Sequence, residues 1–358
     1  MTGLPRWVLL TPDYPDVGGG IARLLENIVE NSSDLVEWRV ATTSPGPAMP
    51  HIRRAANRAQ LLTGLWDDIA WAKESSEPRL ICGHAYLSGP ALAAAKAAPI
   101  PLAALVYGRE ILPIRPQHSI LLRPLAAYSR VVSISDATTV RLPGIGVKAA
   151  AVRTVHPDIA SPNLLPASPA RDDQSGLRIV MLSRLSERYK NVDVVLAALS
   201  LLRETNVVSR CLIVGGGDAR ARYQAEVERL GLQDRVELTG PLPDAEVTQI
   251  FHSCDVGVFP SRDSTAELGF EGFGLVVHEM AAAALPVLVG DAAGAREAAR
   301  PGWSLTLDPS DAYAWASALK ALHDDPASLE QMTQAARGWA ADLDPKRAVT
   351  ATVEALRS

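Results

Sequence analysis

Two carboxylates and a glycine turn carry the most specific chemistry in this chain. Glu271 stands directly before Gly272-Phe273-Gly274, and Glu279 follows eight residues after Glu271. The apolar run Val256–Pro260 reads as a buried strand. About Leu275–Ala284 reads as an apolar helix, and Pro286–Gly290 as a second buried strand. This order places the glycine turn at a helix N-terminus, where free N–H groups and the helix dipole favour an anion such as phosphate. Carboxylates repel phosphate, so their natural partners are hydroxyls. An anion beside a polyhydroxylated group describes a sugar nucleotide.

Two cations could serve the same anion. Arg184 and Lys190 lie six residues apart, just past a predicted strand over Leu177–Leu182. An arginine offers phosphate a bidentate fork and a lysine a point charge. A solvated, charged turn is the alternative, and Glu187 and Arg188 beside them fit that description. Further polar groups gather at other predicted strand ends, where open α/β sheets collect ligands. Gly18-Gly19-Gly20 follows a first strand over residues 6–12, and either admits a ligand close to the backbone or makes a flexible turn. His84 ends a strand over Arg79–His84, facing a cleft or capping and packing locally. Tyr107-Gly108-Arg109-Glu110 closes a strand over Pro101–Tyr107. Gly215-Gly216-Gly217 follows a strand over Arg210–Val214, but the third glycine of a dinucleotide fingerprint falls at Arg220, a poor dehydrogenase signal. Serine-hydrolase and zinc patterns are absent from the sequence, as is an Asp-x-Asp in a strand-end loop, so no metal site is expected.

The elements that must position these groups alternate strand and helix along both halves, which predicts an α/β chain. Its 358 residues suggest two domains, and a 47% hydrophobic content can fill their cores. Forty acidic against 35 basic residues, a net charge of -5, argue against nucleic acid as a partner. Cys82, Cys211 and Cys254 lie far apart in apolar contexts and read as reduced core residues of a cytoplasmic protein. The start runs straight into a strand with no signal peptide, and no apolar run approaches 18 residues, so any membrane contact must be peripheral. A long helical region is expected over His51–Ser75. Its start, with Arg53, Arg54 and Arg58, would dock on anionic lipid headgroups or form a solvated face. Residues 156–176, rich in Pro, Ser and Asp, read as an interdomain linker. Three amphipathic helices are expected near 311–324, 328–341 and 346–357.

The segment Glu271-Gly272-Phe273-Gly274 to Glu279, with Pro260-Ser261-Arg262 upstream, resembles the signature of family 4 glycosyltransferases of the GT-B fold. Ser183-Arg184-Leu185 followed by Tyr189-Lys190-Asn191 is similar to that family's Gly-Arg-Leu…Lys-Gly element. The resemblance implies two Rossmann-like domains facing across a cleft: an acceptor domain over 1–163, a donor domain over 164–340, and a terminal helix over 341–358 returning to the first domain. It implies a retaining transfer of sugar from a UDP- or GDP-type donor to an acceptor hydroxyl, with no cofactor and no catalytic metal. Arg184 and Lys190 would hold the diphosphate, and Glu271 the transferred sugar. Glu279 would take the ribose hydroxyls, and the amides of Phe273, Gly274 and Leu275 the phosphate. Gly215 would lie near the nucleotide, and Gly19 and Gly20 beside donor and acceptor. His84, Tyr107 and Glu110 fall on the acceptor side. Three stretches depart from the family pattern. Tyr107 replaces a usual histidine and is expected to orient a sugar hydroxyl or phosphate oxygen with its own hydroxyl. Ala292-Ala293-Gly294 stands where the family often has two glycines, and Ala284 where a glycine often precedes the Leu-Pro-Val turn; these should alter packing more than chemistry. The alternatives are a sugar-nucleotide-binding protein that has lost catalysis, and another enzyme of this fold such as a nucleotide-sugar epimerase.

Overall fold

A computed structural model describes residues 3–14, 19–47, 49–112, 116–158, 176–264 and 269–357. Gly18 of the glycine loop and most of the expected linker, 159–175, lie outside the described residues. The chain divides into two units, Met1–Ile159 with Asp344–Ser358, and Ala160–Leu343.

In the first unit the chain runs β1 (Arg6–Thr11), α1 (Gly20–Asn31), β2 (Glu37–Thr42), β3 (Ile52–Arg54), α2 (Arg58–Thr63), α3 (Leu65–Ala72) and β4 (Arg79–Cys82). It continues with α4 (Ser88–Ala97), β5 (Leu102–Val106), α5 (Pro116–Leu122), β6 (Arg130–Ser133), α6 (Asp136–Thr139) and β7 (Val152–Thr154). The strands form one sheet in the order β3-β2-β1-β4-β5-β6-β7, with parallel pairing between the neighbours. Parallel strands covered on both faces need near-continuous apolar sequence. Leu102–Val106, LAALV, is buried along its whole length, and five of the six residues of β1 are buried.

The second unit repeats the plan with β8 (Leu177–Leu182), α7 (Val192–Leu201), β9 (Val208–Val214), α8 (Arg220–Arg229), β10 (Val236–Gly240), α9 (Asp244–Ser253) and β11 (Val256–Phe259). Then come α10 (Leu275–Ala282), β12 (Val287–Gly290), α11 (Ala293–Ala298), β13 (Ser304–Leu307), α12 (Ala312–Asp324) and α13 (Pro326–Ala341). Its sheet order is β10-β9-β8-β11-β12-β13, again parallel throughout. The core joins α7, Trp315 and Leu319 of α12, and the inward residues of β8, β9 and β11. The last helix, α14 (Pro345–Arg357), packs on α1 and β6 of the first unit. Lys346 reaches Asp34 there, and Arg347 reaches Asp158.

One expected element is overturned. His51–Ser75 is not one helical region: it opens with the edge strand β3, paired in register with Val40–Thr42, before two short helices. Arg53 donates to the buried Asp68 of α3 at 2.7 Å, and Arg54 donates to the carbonyls of Ser44 and Pro47 at 2.9 and 3.0 Å. These guanidinium groups fasten the sheet edge, so the basic helix start, read as either a lipid-docking or a solvated face, does not exist. Only the exposed Arg58 begins a helix, capped by the Asn57 side chain. Among the described residues no helix is long and apolar enough to cross a membrane.

Candidate functional site

In the second unit the chain leaves β8 for β9 on one side and returns to β11 on the other. At such a switch point the two following loops diverge and leave a crevice at the carboxyl ends of the strands. Three stretches from the sequence analysis end there: the loop after β8 with Arg184 and Lys190, the turn after β9 with Gly215, and the loop after β11 with Glu271.

Lys190 and Glu271, 81 residues apart, meet directly. The Lys190 ammonium donates to Glu271 Oε2 at 2.6 Å, and each side chain is 12% exposed. The Ser261 hydroxyl, from the end of β11, donates to the same oxygen at 3.0 Å. The ammonium lies 5.0 Å from the Tyr189 ring centre and 5.5 Å from that of Phe259, both attractive to a cation. A tight turn over Arg188–Lys190 aims the lysine. Asn191, which ends the turn at φ 57°, is a residue type that tolerates the left-handed region. Its amide donates to the carbonyls of Pro260 and Pro309 at 3.1 and 2.6 Å, tying the lysine loop to the strand end that carries Ser261.

The other donor-side residues divide into exposed, structural and buried positions. Arg184 is 73% exposed at its side chain and lies 3.8 Å from Glu187, so it is not gathered with Lys190. Glu187, expected on a solvated turn, is instead buried and accepts from the Tyr189 hydroxyl at 3.0 Å. Burial and the neighbouring Glu271 and Glu187 carboxylates push the Tyr189 phenol up, so it stays a neutral donor. Gly215 has φ 134°, and a Cβ there would come within 1.9 Å of the Ser183 carbonyl. Only glycine lets the β8 and β9 ends approach this closely. Gly274 has φ 91° and serves as the N-cap of α10, with Leu275 as the first helical residue. Phe273 points into the core, edge-on to His278 at 5.1 Å, so its contribution to the site is its backbone. Glu279 is 8% exposed in the second turn of α10.

The first unit has the same kind of switch point, where β1 lies between β2 and β4. Gly19, at φ 109°, is the N-cap of α1 and Gly20 its first residue; both are exposed. His84 follows β4, and its Nδ1 accepts the Tyr86 backbone N–H at 3.2 Å, capping a short turn. Its Nε2 lies 3.7 Å from Asp13, in the loop after β1. Glu110 accepts the backbone N–H groups of Tyr107 and Gly108, and its burial raises its carboxyl above the usual range.

Tyr107 requires a correction. Its hydroxyl donates to the Gly83 carbonyl at 3.0 Å, and the residue is 5% exposed. The single phenolic proton is therefore spent on the backbone after β4 and is not offered to a ligand. Desolvation pushes the phenol well above its ordinary value, which fixes it as that donor. Sequence reasoning also missed Ser261, Asn191 and Asp13. Ser261 had a signal as the middle residue of Pro260-Ser261-Arg262, and Asn191 as the last residue of Tyr189-Lys190-Asn191, whereas Asp13 had none.

Structural comparison places the chain in a defined architecture. It aligns with Anabaena Alr3699/HepE, solved in complex with UDP and glucose, at TM-score 0.77 and 18% identity over 98% of this chain and 99% of that one. It aligns with WaaG, a glycosyltransferase involved in lipopolysaccharide biosynthesis, at TM-score 0.69 and 14% identity over 98% and 99%. Two parallel-sheet Rossmann-like units with these neighbours define the GT-B fold. Residues 170–339 match the glycosyl transferases group 1 family. Among curated relatives, a GDP-mannose-dependent alpha-(1-6)-phosphatidylinositol monomannoside mannosyltransferase of Mycolicibacterium smegmatis is 34% identical over 46% of this chain and 43% of its own length. A D-inositol 3-phosphate glycosyltransferase of Thermobispora bispora is 32% identical over 46% of this chain and 40% of its own. The matched stretches thus span less than half the length of these relatives.

Proposed function

We propose that this protein is a family 4-type retaining glycosyltransferase of the cytoplasm, moving a sugar from a nucleoside-diphosphate sugar to an acceptor hydroxyl without a catalytic metal. The observation that carries the reading is the Lys190–Glu271–Ser261 cluster at the switch point of the second sheet, where the loop after β8 meets the loop that opens onto α10. Breaking the sugar–phosphate bond leaves a diphosphate with growing negative charge, and a fixed ammonium stabilises it. Lys190 supplies that charge, with the exposed Arg184 able to swing in as a second. The amides at the start of α10 receive phosphate oxygens. Glu271 accepts hydroxyls of the transferred sugar, and Glu279 those of the ribose. In front-side attack the departing phosphate oxygen takes the acceptor proton, so no enzymic base is required. That suits a first unit whose strand-end polar groups are held by their own backbone. The relatives named for GDP-mannose and the neighbour solved with UDP support a UDP- or GDP-type donor. Three buried free cysteines suit a reducing compartment.

A thermal-shift screen against UDP, GDP and their sugar conjugates tests the binding half, because a ligand that binds only the folded state raises the melting temperature. NMR of the product anomer tests the retaining half. Inversion of configuration would reject it. A donor that binds but is never cleaved in the presence of acceptors would favour the binding protein, and a donor converted to its epimer would favour an epimerase.

A further inference from the structure

Glu271 has two oxygens, and the structure treats them differently. Oε2 receives both donors, Lys190 Nζ at 2.6 Å and Ser261 Oγ at 3.0 Å. Among the described residues no hydrogen bond reaches Oε1. Ser261 is 1% exposed, and its single hydroxyl proton is committed to this contact. Its backbone is fixed as well: a Cβ on Gly290 of β12 would come within 2.4 Å of the Ser261 carbonyl. A hydroxyl on so rigid a mount can set the rotation of a partly exposed carboxylate.

We propose that Ser261 is a positioning residue that pins Glu271 through Oε2 and so presents Oε1 to a hydroxyl of the transferred sugar. The inference rests on the donor-site reading given above and assigns a division of labour within it. A lone lysine cannot achieve this. An ammonium on a flexible stem follows a carboxylate through its rotations and pairs with either oxygen. A second donor from a different strand end removes that freedom. With the charge on Oε2 shared, the remaining N–H groups of Lys190 stay available to the diphosphate. Pre-orienting an acceptor before the ligand arrives lowers the ordering cost of binding.

The role is confined to the sugar half of the donor, which gives a readout that a general packing role would not move. In Ser261→Ala, affinity for the intact nucleotide sugar should fall by roughly tenfold, while affinity for the free nucleoside diphosphate holds within about twofold. Calorimetry with the two ligands measures the difference. Ser261→Thr keeps the hydroxyl and should recover most of the loss. Ser261→Cys keeps the volume with a weak donor and should fall short of native, so an unstable alanine variant does not remove the test. In a Glu271→Gln background, Ser261→Ala should change the donor-to-diphosphate ratio far less, because the pinned carboxylate is already gone. Equal losses for both ligands, or a native ratio in both Ser261→Ala and Ser261→Cys, would overturn the role of Ser261 while leaving the donor site standing. A native protein that binds neither ligand would remove both.

Discussion

The two units share a sheet plan and a switch point, yet they spend their strand-end polar groups in opposite ways. In the first unit the groups at the carboxyl ends of β4 and β5 serve the backbone. His84 caps a turn, Tyr107 holds Gly83, and Glu110 accepts two amides. In the second unit the equivalent edge carries a side-chain cluster, with Lys190, Ser261 and Glu271 arriving from two loops and meeting each other. Side chains that satisfy backbone groups define a shape. Side chains that satisfy one another keep donors and lone pairs in reserve for a ligand. The contrast supports the proposal that donor recognition resides in the second unit.

The sharpest way to break this comparison is to remove the ammonium. Lys190→Ala should lower kcat/KM by about 100-fold or more, or roughly 2.7 kcal/mol, comparable with losing one charge-stabilising donor. It should also lower stability, because the partly buried Glu271 side chain loses the ammonium it pairs with. EDTA should leave native turnover intact. Metal-dependent turnover together with a neutral Lys190→Ala variant would move leaving-group stabilisation off this residue.

Next in size are the two carboxylates. Glu279→Ala should weaken the nucleoside diphosphate and the intact donor alike, by roughly tenfold, the loss of a hydrogen bond to a charged group. Glu271→Ala should weaken the intact donor more than the free diphosphate. Titration of both ligands into both variants separates ribose from sugar, and equal losses in the Glu271 variant would place that residue elsewhere.

In the first unit the same comparison predicts small kinetic effects. Tyr107→Phe orphans the Gly83 carbonyl and should cost about 1 kcal/mol of stability, while the transfer rate stays within roughly tenfold of native. A loss on the order of 1000-fold with unchanged donor affinity would exceed one neutral hydrogen bond and make the hydroxyl catalytic. The smallest effect lies behind the donor site. Ala284 follows α10 at φ 59°, where an L-residue with a Cβ is strained. Ala284→Gly should stabilise by about 1 kcal/mol, read as a rise of a few degrees in Tm, with kinetics unchanged. This gives a reason for the glycine usual there in similar sequences: the position ends the helix in the left-handed region.

What was legible in the sequence follows the range of the interactions. The strand–loop–helix–strand unit around Glu271 could be read because each piece announces itself locally: VGVF is apolar throughout, Gly274 breaks the chain before a helix, and VLVG resumes the sheet. β8 was likewise expected over the residues it occupies. The edge strand β3 reads as helix in the sequence because three residues carry no period, and its pairing with β2 is a tertiary fact. The six-residue helix α11 was too short to show a periodic face. At the site, Lys190 and Glu271 were each identified, but as separate groups with separate ligands. Their contact depends on β8 and β11 being neighbours in the sheet, which spacing along the chain does not encode. Glu187 shows the same limit: it is buried and accepts from Tyr189, which no feature of the charged turn announces. The first unit was legible as topology but not as chemistry. Whether His84 or Tyr107 points at a ligand or at a carbonyl is decided by a few ångströms of backbone.

The most direct test of the account is the steady-state release of nucleoside diphosphate from a panel of UDP- and GDP-sugars, by native protein and by Lys190→Ala, each with EDTA present. The account predicts that at least one donor is cleaved by the native protein without added metal, and that the variant is slower by about 100-fold. Native protein that cleaves no donor of either type, or a variant that matches native turnover, would contradict it.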